Sequence, residues 1–274
     1  MSARAAQTNS SVLELIDSKR PLVIAHRGYS QIAPENTLPA FQLAMDAAAD
    51  LVELDYYHSQ DGQIVVFHDA DLDRTTDATN RWAQTKIKLE TKTTAELRTL
   101  DAGSWFNGQY AGTKIPLLGE ALDLIQRSNV TLIERKAGPA ADCVKLVREK
   151  SLVNKVVVQA FDWQYLRAYH EAEPEQVLGA LGPPKLLADG KKPPTIPKQL
   201  SGAWLDELVK TGARLVVWND QITKEAVELA HQRGLKVWVY TINDSDAANR
   251  LLDMGVDGLI TNNVSLIWRV LALR

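Results

Sequence analysis

The chain has 274 residues, of which 45% are hydrophobic and 24% charged, with a formal net charge of −3 at pH 7. That is the composition of an ordinary globular enzyme with one substantial core. With no basic stripe along the sequence it excludes an electrostatic case for nucleic acid or an anionic membrane surface as partner. Cys143 is the only cysteine, so no internal disulfide forms, and no apolar run approaches the ~20 residues of a membrane span, which argues against stable membrane insertion.

The first twenty residues, Met1 to Arg20, read as an N-terminal tail. They lack the apolar core of a signal peptide, so a cytoplasmic location is expected, or a periplasmic or secreted one if a leader has been removed from the polar start Ser2 to Asn9. From Pro21 onward short apolar runs alternate with amphipathic helical patterns. The runs are Leu22 to His26, Leu51 to Tyr57, Thr131 to Lys136, Lys155 to Ala160, Gln176 to Leu181, Arg214 to Trp218, Lys236 to Thr241 and Val256 to Thr261. Most are continuously apolar with charge only near their ends, as parallel strands covered on both faces should be. The helical patterns run from a cap at Thr37 to near Ala49, then Leu118 to Gln126, Ala140 to Lys150, Trp163 to Glu171, Gln199 to Lys210, Lys224 to Arg233, Ser245 to Met254 and Val264 to Leu273. Gly234 and Gly255 stand where two of these helices need a left-handed residue to stop.

Eight such repeats predict an α/β fold, a closed (β/α)8 TIM barrel over residues 21–274, with an open doubly wound sheet as the alternative. Two segments depart from the rhythm. Asp61-Gly62 predicts a hairpin that returns through Gln63 to His68, and residues 69–116 then form a small insertion after the second strand, expected over the active-site mouth. Its aromatics Trp82, Trp105 and Phe106 are expected to be core rather than ligand contacts. Gly182 to Pro197, rich in proline and lysine, is expected to be an irregular loop over the same rim.

The chemistry starts with Glu53 and Asp55. In Leu51-Val52-Glu53-Leu54-Asp55-Tyr56 a strand sends both carboxylates to one face and Val52 and Leu54 to the other. Two like charges inside an apolar strand need compensation, and a divalent cation is the simplest; salt bridges to Arg27 and Lys136 are the bland alternative. Glu134 and Lys136 share one face of another run in the same way. His26 and His68 each end an apolar run, and His26, Glu53, Asp55, Glu134, Lys136, Gln159, Trp218 and Tyr240 all fall near C-terminal strand ends, where barrel enzymes build active sites. His58, His170 and His231 read as scaffold or solvated residues, and Cys143 as an inert thiol on a helix.

An ordered series of motifs runs through the chain. It comprises His26-Arg27-Gly28, Pro34-Glu35-Asn36-Thr37, Glu53-Leu54-Asp55, Asp61-Gly62, His68-Asp69, Leu72-Asp73-Arg74-Thr75-Thr76, Asp101 to Phe106, Glu134 with Lys136, Gln159-Ala160-Phe161-Asp162 and Gly255 to Thr261. From Pro21 to Arg274 the chain resembles the glycerophosphodiester phosphodiesterase family on these motifs. The resemblance implies hydrolysis of a small-molecule glycerophosphodiester to an alcohol and glycerol 3-phosphate. It implies Glu53, Asp55 and Glu134 as ligands of one divalent cation, and oxygen-only ligation favours Ca²⁺ or Mg²⁺. It implies His26 as proton acceptor and His68 as proton donor, with Arg27 and Lys136 on the phosphate. Tyr240 stands where the family commonly has Trp, which keeps an aromatic wall beside the substrate, and Asn262-Asn263 replaces a frequent Asp-Pro, which puts the cap of the last helix in question. The attacking group is left open between water and the neighbouring glycerol hydroxyl. A lysophospholipid or sphingolipid phosphodiesterase, with Leu186 and Leu187 as an apolar rim, is the enzymatic alternative, and a non-catalytic phosphodiester-binding module the other. The residues set no oligomeric state.

Overall fold

The computed structural model describes residues 11–195 and 197–274; the polar start Ser2 to Asn9 lies outside the described residues. In chain order the elements are α1 (Val12–Ile16), β1 (Leu22–Ala25), α2 (Leu38–Asp46), β2 (Leu51–His58), β3 (Ile64–Val66), α3 (Ala78–Trp82), α4 (Thr94–Leu97) and α5 (Leu118–Ile125). There follow β4 (Val130–Arg135), α6 (Ala140–Glu149), β5 (Val156–Ala160), α7 (Trp163–Ala172), β6 (Val177–Gly182), α8 (Gly202–Leu208), β7 (Leu215–Trp218), α9 (Lys224–Gln232), β8 (Lys236–Val239), α10 (Ser245–Asp253), β9 (Gly258–Thr261) and α11 (Val264–Ala272).

Eight strands pair in parallel, from β1 through β2 and β4 to β9, and β9 returns to β1, closing the expected (β/α)8 barrel. The period of two along each strand sorts its residues between two apolar layers. Leu22, Ile24, Leu51, Leu132, Val157 and Trp238 fill the barrel interior. Val23, Val52, Leu54, Ile133 and Val158 face outward and pack with the helices. Val52 and Leu54 thus point away from Glu53 and Asp55, as the alternation requires.

Several local expectations are adjusted. The stretch expected to be only a tail supplies α1. Its N-terminus is closed by a capping box, in which the Glu14 N–H donates to Ser11 Oγ (3.4 Å) and the Ser11 N–H to Glu14 Oε2 (3.1 Å). The Val12 N–H donates to Asn154 O at 3.0 Å, and Val12 and Ile16 join the interior layer beside Leu22 and Leu51 at the strand starts. The helix therefore stoppers the end of the barrel opposite the polar strand ends. Helix α2 stops at Asp46 rather than near Ala49, because Ala48 takes a left-handed φ of 58°. Thr37 sits at its N-cap, but the hydroxyl donates back to Pro34 O at 2.6 Å instead of capping the helix.

The hairpin forms as β3 pairs antiparallel with β2, Tyr56 opposite Val66. Residues 69–116 build a satellite core from Leu72, Ala78, Leu89, Leu97, Leu100 and Ile115, seated on Val65 and Phe67 of the hairpin. Trp82 packs against it, whereas Trp105 is 39% exposed and meets Phe106 edge-to-face at 5.6 Å, so that pair is not core. Tyr110 donates to Ile32 O at 2.9 Å and ties the insertion to the loop after β1. In the 182–197 segment Leu187 is packed into the main core, and Leu186 accepts a backbone hydrogen bond from Trp163. No helix among the described residues is long and apolar enough to cross a membrane.

Since Val12 is fully buried at the stoppered end, Val12→Asp is expected to lower the unfolding free energy by about 3 kcal/mol or more. Turnover by the remaining folded protein should be unchanged, because the substitution lies far from the polar strand ends. Denaturant titration checks the first expectation and steady-state kinetics the second.

Candidate active site

The upper ends of β1, β2 and β4 carry the polar cluster, and their register brings it together. Asp55 lies directly opposite Glu134 in the parallel β2–β4 ladder. One oxygen from each of Glu53, Asp55 and Glu134 falls within 4.8 Å of the others, and all three residues are buried. Against these three acids stand two cations. Lys136 Nζ is 3.0 Å from Asp55 Oδ1 and also bonded to Glu134 Oε1. Arg27 Nε is 3.4 Å from Asp55 Oδ2.

The loop after β1 is shaped to deliver Arg27. Its φ is 57° and that of Gly28 is 79°, and this left-handed pair turns the Arg27 N–H onto Glu53 Oε2 at 2.7 Å. Gly28 has a second reason to be glycine, because a Cβ would lie 2.6 Å from the carbonyl carbon of Ala40 in α2. Asn36, also at positive φ, grips Asp55 twice. Its Nδ2 donates to Asp55 Oδ2 (2.8 Å), and its Oδ1 accepts the Asp55 N–H (3.1 Å). Glu35 accepts from Arg27 Nη1 at 2.8 Å.

These contacts divide the acids. Burial pushes the Asp55 carboxyl up, but Lys136 and then Arg27 outweigh it and hold the group well below the usual carboxylate range. Glu53 is raised well above that range by burial and then by the charges of Asp55 and Glu134. For Glu134 burial outweighs the pull of Lys136, and the group is pushed up to about 7. Glu53 Oε1 is buried without a hydrogen-bond partner. An orphaned carboxylate oxygen and two acids resisting ionisation are what an all-oxygen site for a hard cation presents before it is loaded, so Glu53, Asp55 and Glu134 fit a divalent metal ion.

The two histidines lie across this cluster. His26 Nδ1 is 2.7 Å from Asn262 Oδ1. Burial and then the neighbouring Arg27 charge lower the ring's pKa to about 4. His68 Nδ1 is 2.6 Å from Asp69 Oδ1, and burial lowers that ring as well. A cavity of about 220 Å³ is lined by His26, Arg27, Glu53, His68, Glu134, Lys136 and Tyr240, with Gln159, Phe161, Leu181, Thr241 and Ile260 completing its walls. Asp55 does not line this space and is engaged by Asn36 and Lys136. The Tyr240 hydroxyl donates to Gly182 O at 2.8 Å, so its ring is the part left to face a ligand.

Three participants have no role at the site assigned from the sequence alone. Gln159, opposite Glu134 on β5, is 1% exposed with an unpartnered Oε1; its sequence signals are its place at a strand end and in the run Gln159-Ala160-Phe161-Asp162. Asn262 stood out only as a change near a helix cap. The cap itself is intact, since Asn263 Oδ1 accepts the Leu266 N–H at 3.1 Å, while Asn262 holds His26. Arg74 binds both Asp69 and Glu35. His58 and His231 pair with Asp142 (3.1 Å) and Asp257 (2.7 Å) away from the cavity, so His231 is held rather than simply solvated.

Comparison with known proteins gives a consistent result. The model of the glycerophosphoryl diester phosphodiesterase family matches residues 26–266. A Bacillus subtilis protein named glycerophosphodiester phosphodiesterase is 30% identical over 275 residues, covering 93% of this chain and 88% of its own length. One of the same name from Caldanaerobacter subterraneus is 31% identical, covering 89% of this chain and 95% of its own. Among solved structures, an Oleispira antarctica phosphodiesterase in complex with the product sn-glycerol-3-phosphate matches with a TM-score of 0.79 at 27% identity, over 94% of this chain and 99% of that one.

The raised Glu53 and Glu134 carboxyls set a pH dependence for the cation. Below about 7 Glu134 holds a proton that a cation must displace, and the raised Glu53 adds to the competition, so affinity falls as pH falls. Calcium or magnesium titrated into chelator-treated protein is expected to bind at least about tenfold more weakly per pH unit below 7. Calorimetry in buffers of different ionisation enthalpy should show proton release at pH 6, and pH-independent affinity with no proton release would contradict the assignment.

Proposed function

We propose how this chain, which belongs to the glycerophosphoryl diester phosphodiesterase family and hydrolyses glycerophosphodiesters, performs that reaction with its own residues. The carrying observation is that two imidazoles, each anchored through Nδ1, face one cavity together with the acidic cluster, Arg27 and Lys136. Arg27 and Lys136 bind the phosphoryl oxygens, the first through Nη2, the guanidinium nitrogen that neither Glu35 nor Asp55 engages, the second as a point charge. A divalent cation on Glu53, Asp55 and Glu134, with Ca²⁺ or Mg²⁺ favoured by the all-oxygen donor set, would supply Lewis-acid polarisation of the phosphoryl group.

His26 is the proton acceptor. The Asn262 oxygen facing it only accepts, so the ring proton resides on Nδ1 and the Nε2 lone pair is free. A pKa lowered to about 4 keeps that lone pair available at neutral pH. The hydroxyl it deprotonates belongs to water or to the adjacent carbon of the glycerol, and detection of a cyclic phosphate distinguishes the two. His68 is the proton donor. The Asp69 carboxylate on Nδ1 stabilises the imidazolium, the anionic substrate raises its pKa against burial, and Nε2–H passes its proton to the leaving alcohol.

The glycerol moiety occupies the inner part of the cavity. Gln159 Oε1, buried and unpartnered, accepts one of its hydroxyls, and Phe161, Leu181, Ile260 and the Tyr240 ring enclose its carbons. The substrate is accordingly a small molecule. Leu187 is turned into the core, so the pair Leu186-Leu187 does not form the apolar rim that an acyl-chain substrate would use.

On glycerophosphocholine, His26→Ala and His68→Ala are each expected to lower kcat/KM by about 10²- to 10⁴-fold with little change in Tm. A p-nitrophenyl leaving group, which needs no proton, should rescue His68→Ala and not His26→Ala. Rescue of the opposite variant would reverse the two roles, and wild-type turnover by both would contradict the mechanism. Asn262→Asp places a carboxylate on His26 and favours its charged form, so the acidic limb of the kcat/KM profile should move up by about one pH unit or more. An unmoved limb would show that His26 is not the acceptor.

A further inference from the structure

We propose that Arg74 is a positioning residue that locks the phosphate-binding arginine and the proton-donating histidine to each other. Its guanidinium lies between two carboxylates. Nε donates to Asp69 Oδ2 at 2.6 Å, Nη1 to Glu35 Oε2 at 2.8 Å and Nη2 to Glu35 Oε1 at 2.7 Å. Each carboxylate uses its other contacts on the site. Glu35 Oε1 accepts from Arg27 Nη1 (2.8 Å), and Asp69 Oδ1 meets His68 Nδ1 (2.6 Å). The result is an unbroken chain, His68–Asp69–Arg74–Glu35–Arg27, between the hairpin side and the β1–α2 loop side of the cavity.

Charge and shape both require arginine in the middle. Glu35 and Asp69 are held ionised, Glu35 against burial by Arg74 and Arg27, Asp69 against burial by Arg74 and His68. Without the central cation Asp69 could turn off His68, and Glu35 would hold Arg27 from one side only. A lysine offers one charge and no fork, and so cannot serve Nε and both terminal nitrogens at once. The side chain of Arg74 is 45% exposed, so its removal opens no cavity in a core. Its contribution lies in aiming Arg27 and His68, where a displacement of about 1 Å is enough to cost on the order of 10²-fold in rate.

The inference rests on the roles proposed for Arg27 and His68. Arg74→Ala is expected to lower kcat by about 10- to 100-fold, with KM changed less than kcat and Tm close to wild type. Added guanidinium ion should restore part of the lost kcat, and Arg74→Lys should remain impaired. Combined with Asp69→Asn, the loss should be less than the product of the two single losses. An Arg74→Ala kcat within twofold of wild type overturns the proposal, as does a lowered kcat that guanidinium leaves unmoved. If His68→Ala retained full turnover, the reading of the site would fail first, and the two failures are separable because each has its own variant.

Discussion

Three carboxylates share a space barely wider than one ion, and that crowding is the constraint from which the site follows. The β2–β4 register sets Asp55 opposite Glu134, and the strand period adds Glu53 on the same face. At that separation each like-charge pair costs roughly 3–4 kcal/mol at an effective dielectric near 20, before any desolvation is counted. Arg27 and Lys136 offset two of the three charges, with Lys136 shared between Asp55 and Glu134 and Arg27 against Asp55. The remainder appears as Glu53 and Glu134 held above their usual range. A further positive charge is what the arrangement lacks, and a hard cation would supply it.

The surrounding structure serves to hold that arrangement at the mouth of the cavity. A left-handed turn at Arg27 and Gly28 brings a main-chain N–H to Glu53 and the arginine side chain to Asp55. Asn36 fixes the orientation of Asp55 from the same loop. The two imidazoles facing the cavity come from different parts of the chain. One is held by a residue after β9 and the other by a residue at the end of the hairpin. The insertion, with its own small core, is anchored to the hairpin and reaches back to the β1–α2 loop through Tyr110 and Arg74. The scaffold below is comparatively independent of this chemistry, since its interior layers and the α1 stopper are apolar.

What was legible in the residues follows the range of each signal. Barrel strands announce themselves by continuous apolar runs, and paired acids on one strand by a period of two, so Glu53, Asp55, Glu134 and Lys136 could be placed on faces from local sequence. Partnerships between distant residues carry no such signal. His26 and Asn262 are 236 positions apart, and only closure of β9 onto β1 brings them together. The change at Asn262-Asn263 pointed to a helix cap, yet Asn263 caps and Asn262 does the work at His26. Helix α1 was missed because five residues are too few to show a helical period, and its burial comes from the barrel end it fills. Trp105 and Phe106 show the converse error, since aromatic character suggested core while a surface loop can also stack two rings edge to edge.

The most direct test of the central claim is an anomalous-scattering map from crystals grown with calcium. The account predicts one strong peak bonded to carboxylate oxygens of Glu53, Asp55 and Glu134 at about 2.3–2.6 Å, with Lys136 withdrawn from at least one of them. A map without a peak there, with Glu134 still paired to Lys136 and Glu53 Oε1 facing empty space, would contradict it.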